Sequence, residues 1–264
     1  MPDIDRRAAL TATGLVALGA ALPAPAVAQS PLALGAGKSG PPLKTGHLRM
    51  GTGTGPNGTI DLTNLTLLRD GQPCLPVMGE FHFTRFPARY WAEELRKMKA
   101  AGITIVASYI LWNHMELAPV QIDWTGDRDI RRFIQLCDAE GLLFFLRPGP
   151  WGHAEARFGG IPDWIVAGTH PRSNDAAYLA EVERFWRSLH DQVKGLFWKD
   201  GGPIVGMQIE NEYNLDGPGQ GRAHIAMLKT MAQKIGYDVP LYTVTGWDQT
   251  LYPKGEVVPV HGGY

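Results

Sequence analysis

The sequence has little cysteine, no excess charge of either sign and, past its first thirty residues, no long apolar run. Only Cys74 and Cys137 occur in 264 residues. Two thiols so placed build neither a disulfide framework nor a metal site. Cys137 falls on the apolar side of a helical pattern, where packing is the expected role. The 25 Lys and Arg nearly balance the 26 Asp and Glu, for a formal net charge of −1. That leaves no field suited to a nucleic-acid backbone or an anionic membrane surface, so no nucleic-acid partner is expected. No glycine-rich loop follows the first β/α strand, which argues against a dinucleotide site. No His-x-His pair stands at a strand end, which argues against a metal-dependent hydrolase. Neither a cofactor nor a metal is expected.

The one apolar run, residues 8–22, follows Arg6-Arg7 and precedes Ala26-Val27-Ala28. This order of basic, apolar and small residues reads as an export signal over residues 1–28, with the adjacent arginines pointing to twin-arginine export in a bacterium. The expected location is periplasmic or secreted. An uncleaved anchor is the alternative, but about fifteen apolar residues are short for a span. No stable membrane insertion is expected after cleavage. Residues 29–58 are rich in Gly, Pro, Ser and Thr without periodicity and read as a flexible leader.

From residue 59 a hairpin is expected, with strands over 60–68 and 74–78 around Asp70-Gly71. Strand and helix then alternate. Strands are expected over 76–83, 103–110, 142–146, 204–209, 241–244 and 257–260. Helices are expected from Pro87 to a stop at Gly102, then over 127–140, 175–196 and 222–235. Ile130, Phe133, Ile134 and Cys137 share one helical face, as do Tyr178, Val182, Phe185, Leu189 and Val193. Repeated strand–helix units imply parallel strands with right-handed crossovers. Polar and aromatic residues crowd the C-terminal ends of the strands, where a (β/α)8 barrel places its site. The expected fold over residues 59–264 is α/β: a (β/α)8 TIM barrel truncated to about six strands.

Two segments carry chemistry. In residues 204–213 a strand would send Val205, Met207 and Ile209 toward helices and Gln208, Glu210 and Glu212 to the other face. Two carboxylates and an amide on one face are costly unless they line a functional cavity or form a buried salt-bridge network. In residues 147–155, Pro and Gly fix a loop that leaves a strand and presents Arg147, His153 and Glu155. Taken singly, His153 can be a satisfied loop histidine and Glu155 a surface charge.

Together these stretches resemble glycoside hydrolase family 35, the β-galactosidases. The resemblance is carried by Gly79-Glu80-Phe81-His82-Phe83, Tyr109-Ile110-Leu111-Trp112-Asn113, Arg147-Pro148-Gly149-Pro150, Ala154-Glu155, Gly159-Gly160-Ile161-Pro162 with Trp164, and Gln208-Ile209-Glu210-Asn211-Glu212-Tyr213. It implies a retaining glycoside hydrolase that cleaves terminal β-D-galactosyl residues from an oligosaccharide or glycoconjugate. The acid/base would be Glu212, and Tyr109, Ala154, Glu155 and Asn211 would contact the sugar. Such chemistry needs two carboxyl groups about 5 Å apart, one to protonate the leaving oxygen and one to attack the anomeric carbon. Asn211 can bond the sugar 2-hydroxyl, and Trp112, Trp151 or Trp247 can offer an aromatic face.

The sequence departs from the family at Met115-Glu116, where His-Glu is frequent, and at His153 and Asn214. The resemblance implies a nucleophile on a seventh strand, and no late glutamate fits, since Glu256 precedes a strand. The chain alone is therefore expected to be inactive. The alternative is a non-catalytic galactoside-binding barrel remnant.

Overall fold

The structure is a computed structural model that describes residues 41–244 and 250–260. Residues 1–28, read as an export signal, and Trp247 lie outside the described residues. The chain divides into two units, Met1–Pro41 and Pro42–Tyr264, and all described elements belong to the second.

Four short antiparallel strands come first: β1 (Thr54–Gly55), β2 (Gly58–Leu62), β3 (Leu67–Arg69) and β4 (Gln72–Cys74). Asp70 and Gly71 form the expected turn, with φ of 52° and 76°. Residues 60–68, expected as one strand, are two. Thr63 makes the break, because its Oγ1 accepts the N–H groups of Leu65 at 3.0 Å and Thr66 at 2.9 Å. Such local side-chain bonds compete with a ladder. Residues 49–58, expected as the end of a flexible leader, are instead bound to the folded unit. Met50 is buried, its carbonyl accepts the Leu241 N–H at 2.5 Å, and the Arg49 N–H reaches the Gly255 carbonyl at 2.7 Å.

The parallel sheet is built from β5 (Met78–Glu80), β6 (Ile105–Tyr109), β9 (Leu143–Arg147), β10 (Ile204–Gln208), β11 (Leu241–Val244) and β12 (Val258–Val260). Its spatial order is the chain order and every neighbouring pair is parallel, as successive β/α units with one crossover hand produce. The connections hold α1 (Trp91–Ala100), α2 (Trp112–Met115), the ribbon β7 (Glu116–Ala118) with β8 (Gln121–Ile122), α3 (Ile130–Ala139), α4 (Asp163–Gly168), α5 (Ala176–Val193) and α6 (Arg222–Ile235). Asp129 and Asp175 start α3 and α5 by accepting the N–H groups of Arg132 at 2.9 Å and Tyr178 at 2.8 Å, which satisfies donors that a helix start leaves open. Gly236, at φ 119°, ends α6 in the left-handed region.

The two faces of the sheet differ. On one, Val106, Phe144, Leu146 and Met207 pack with the expected stripes of α3 and α5, all fully buried, into the main core. On the other, Ile105, Ala107, Phe145 and Val205 pack with Ile60 of β2 and with Trp198. Val205 was expected with Met207 among the helices. The strand register shifts between Ile204 and Gly206, and this extra residue turns Val205 to the inner face. Gly206 fills the same layer, where a Cβ would lie 2.7 Å from the Phe145 ring.

Candidate active site

The upper end of the inner face is a cross-strand row of polar side chains. Tyr109 and Arg147 are register partners, as are Gln208 and Tyr242, so the last residues of β6, β9 and β10 stand side by side above the apolar layers. Arg147 ties them together. Its Nε donates to Gln208 Oε1 at 2.8 Å, its Nη1 donates to both oxygens of Glu80 at 2.6 Å, and its Nη2 donates to Asn211 Oδ1 at 3.2 Å and to the Tyr109 hydroxyl. The guanidinium also lies 3.7 Å from the Tyr109 ring centroid. Every nitrogen of the fork is engaged, which offsets the desolvation of a charge only 11% exposed.

Asn211 receives what this row directs. Its Oδ1 accepts from Tyr109 Oη at 2.9 Å, Gln208 Nε2 at 3.0 Å and Arg147 Nη2. Arginine and the glutamine amide nitrogen only donate, so the atom they share must be the oxygen. The Asn211 Nδ2 group is thereby left as the donor end of this side chain. Glu212 follows directly, half-buried, in the loop after β10.

Ala154 and Glu155 lie on the loop after β9. His153, Ala154 and Glu155 have φ of 65°, 51° and 47°, a left-handed run that costs roughly 1–2 kcal/mol per residue. Arg85 Nη2 anchors it by donating to the Ala154 carbonyl at 2.7 Å. Ala154 packs on Tyr109 and Leu111. Glu155 is exposed, and beside the row the His82 ring stacks on Tyr109 at 5.8 Å. Burial pushes His82 below the ordinary histidine range; Arg85 and Arg147 add to this, and the carboxylates of Glu80 and Glu155 oppose it.

Strand alternation does not continue past Gln208. Glu210 and Glu212 sit at φ 57° and 46°, so the chain corners, and Glu210 turns away from the inner face toward α5 and α6. It is fully buried, and its Oε2 accepts Arg172 Nε at 3.0 Å and Nη2 at 2.7 Å. Burial raises the Glu210 carboxyl above its usual range, against the pull of Arg172. The expected grouping of Gln208, Glu210 and Glu212 on one face is therefore corrected. Glu116 is likewise buried, bonded to Trp112 Nε1 at 2.7 Å and to Arg184 Nη2 at 2.8 Å. Trp112 is no sugar platform, since it is 1% exposed and stacked on Phe185 at 4.8 Å. Trp151 is covered by the Arg172 guanidinium at 4.6 Å.

Sequence reasoning brought Tyr109, Ala154, Glu155, Asn211 and Glu212 into one region but missed Arg172 and the hub role of Arg147. A fully buried Glu210 required a cation, yet nothing in Pro171-Arg172-Ser173 identified which one. Among the described residues no group of three His, Cys, Asp or Glu could hold a metal ion, and no helix is long and apolar enough to cross a membrane.

A parallel β/α sheet with a carboxylate beside an arginine-anchored asparagine at its fourth strand end fits the glycoside hydrolases. Residues 66–260 match the family model "Glycosyl hydrolases family 35", and the chain belongs to that family. It is 37% identical over 198 residues to the β-galactosidase of Bos taurus, covering 74% of this chain and 30% of that protein. It is 35% identical over 193 residues to the β-galactosidase of Xanthomonas manihotis, covering 72% and 32%. The chain thus spans about a third or less of the curated relatives it matches. Among solved structures, an exo-β-1,4-mannosidase from an Opitutaceae bacterium superposes with TM-score 0.51 at 15% identity, covering 67% of this chain and 32% of that one. At that identity the likeness speaks for the fold.

Proposed function

We propose that the chain carries the acid/base side of a retaining β-galactosidase site, with the six parallel strands being six of the eight in a (β/α)8 barrel. Glu212 protonates the glycosidic oxygen and later deprotonates the water. Asn211 donates through Nδ2 to the sugar 2-hydroxyl, and Tyr109, Ala154 and Glu155 line the galactose pocket. The observation that carries this reading is the three-donor lock on Asn211 Oδ1, which leaves the amide nitrogen as the donor next to Glu212. A hydrogen bond to the 2-hydroxyl strengthens as the oxocarbenium-like transition state forms.

The nucleophile is assigned to a glutamate of a seventh strand, as the family resemblance implies, and three of the carboxylates near the row face arginines instead. Glu80 pairs with Arg147, Glu116 with Arg184 and Glu210 with Arg172. Residues 1–28 serve as the export signal, so the substrate is met in the periplasm or outside the cell. The supporting features are Arg6-Arg7, the apolar run and Ala26-Val27-Ala28.

The test is the Glu212→Gln variant of the full-length protein on β-galactosides of graded leaving group. Turnover on lactose-like substrates should fall about 10²–10⁴-fold, the worth of general acid catalysis. Glycosylation by a dinitrophenyl galactoside, which needs no proton, should fall far less. Wild-type rates on the poor leaving groups would rule Glu212 out.

A further inference from the structure

The Asn211–Glu212 peptide is held from two sides, and only one of them belongs to the sugar pocket. On the inner side, Tyr109, Arg147 and Gln208 fix the Asn211 side chain. On the helix side lies Arg172, in the connection between α4 and α5. Its Nη2 donates to the Asn211 carbonyl at 2.8 Å, the oxygen of the peptide that leads into Glu212. The same guanidinium holds Glu210 Oε2 through Nε and Nη2, and Glu210 Oε2 also accepts the Asn211 N–H at 3.2 Å. Both peptides flanking Asn211 are thus tied to one arginine and its buried carboxylate.

Arg172 is itself wedged. Its guanidinium sits 4.6 Å from the Trp151 ring and 5.2 Å from the Tyr213 ring, and its carbonyl accepts Tyr213 Oη at 2.8 Å. Its side chain is 13% exposed and that of Glu210 0%. A buried pair of this kind is poor evidence for stability, because desolvation offsets much of the attraction. It is well suited to fixing geometry. The corner it spans places Glu210 and Glu212 at positive φ, a conformation non-glycine residues keep only where the surroundings over-determine it.

The geometry points to Arg172, with Glu210 as its counter-ion, as the positioning residue that sets the direction of the Glu212 carboxyl by fixing the Asn211–Glu212 peptide. The role assigned to Arg172 needs no contact with substrate. Arg172 acts through the backbone, and its effect on rate should track how much the reaction needs the proton from Glu212. This inference rests on the acid/base role proposed for Glu212.

The experiment uses the full-length protein as wild type, Arg172→Ala, Arg172→Lys and Glu212→Gln. It reads steady-state rates on β-galactosides of graded leaving group and backbone hydrogen exchange over residues 209–213. Arg172→Ala should lose about a hundredfold in kcat/KM on poor leaving groups, the scale of a misplacement near 1 Å, and much less in kcat/KM on a dinitrophenyl galactoside, whose glycosylation step needs no proton. Millimolar guanidinium should restore part of the loss. Arg172→Lys keeps the charge but not the fork and should fall between. Exchange over 209–213 should quicken in Arg172→Ala while α5 and α6 stay protected. A uniform loss across leaving groups with no guanidinium rescue would reduce Arg172 to a structural residue and overturn the proposal. So would unchanged exchange at 209–213, whatever the kinetics. If wild type and Glu212→Gln react alike, the acid/base reading fails by itself, and the exchange data still decide whether Arg172 holds the corner.

Discussion

Asn211 shows how single side chains acquire a direction. Three donors converge on its Oδ1, so the side chain has one orientation and one group to offer. Asn211→Asp keeps an acceptor for all three donors but removes the Nδ2 donor. The variant should fold like wild type and lose about tenfold or more in kcat/KM on galactosides, on the order of one hydrogen bond. On the 2-deoxy substrate the two proteins should converge. A variant equally impaired on both substrates would show that Asn211 does not read the 2-hydroxyl. At this scale the placing of Tyr109 and Asn211 in a polar row at the strand ends was legible, because polar types there are costly without a purpose. The roles of these residues and of Glu212 came from the family resemblance alone. The fate of Glu210 was not legible. Alternation is a rule for extended backbone, and the positive φ at Glu210 ended its validity two residues early.

Among the elements, the helices were the most readable. The stripes of α3 and α5 are buried as their period required, and aspartates start both. The misses have local causes: the Thr63 side-chain turn that splits β2 from β3, and the register shift that sends Val205 inward. Neither leaves a mark in apolar periodicity. Packing between α5 and α6 also makes a testable electrostatic prediction. His224 on α6 is 0% exposed and its Nδ1 pairs with Asn174 Oδ1 at 3.0 Å. Glu210, Arg172, Tyr178 and Tyr213 surround it. Burial first, and Arg172 second, hold it down to about 4, against roughly 6.5 in the unfolded chain. Between those values the unfolded state takes up a proton that the folded state refuses, so stability falls as pH drops from about 6.5 toward 4. Above that window the group contributes no pH dependence. The total loss is on the order of 3 kcal/mol. Thermal midpoints of wild type and His224→Gln should therefore draw together or cross as pH is lowered from 7 to 4.5. Parallel curves would mean that His224 titrates normally.

Across the whole folded unit, the parallel sheet sorts its inner face by height. Ile105, Ala107, Phe145 and Val205 make the apolar lower layers, capped by Ile60 of the antiparallel strands. Tyr109, Arg147, Gln208 and Glu80 make the polar upper one. This gradient is what places Glu212 at a rim where one carboxyl can be half-buried beside an amide. The order of the strands and the position of the polar ends were legible from strand–helix alternation. The arginines that hold the rim from both sides were not, because their partners lie 38 to 67 residues away in sequence. The central claim is that Glu212 is the acid/base of a retaining site, and azide trapping tests it most directly. With Glu212→Ala of the full-length protein on a dinitrophenyl β-galactoside, azide should accelerate turnover and the product should be β-galactosyl azide. The small anion takes the space of the missing carboxylate and attacks the galactosyl-enzyme from the same face. No acceleration, or an α-configured azide, would contradict the account.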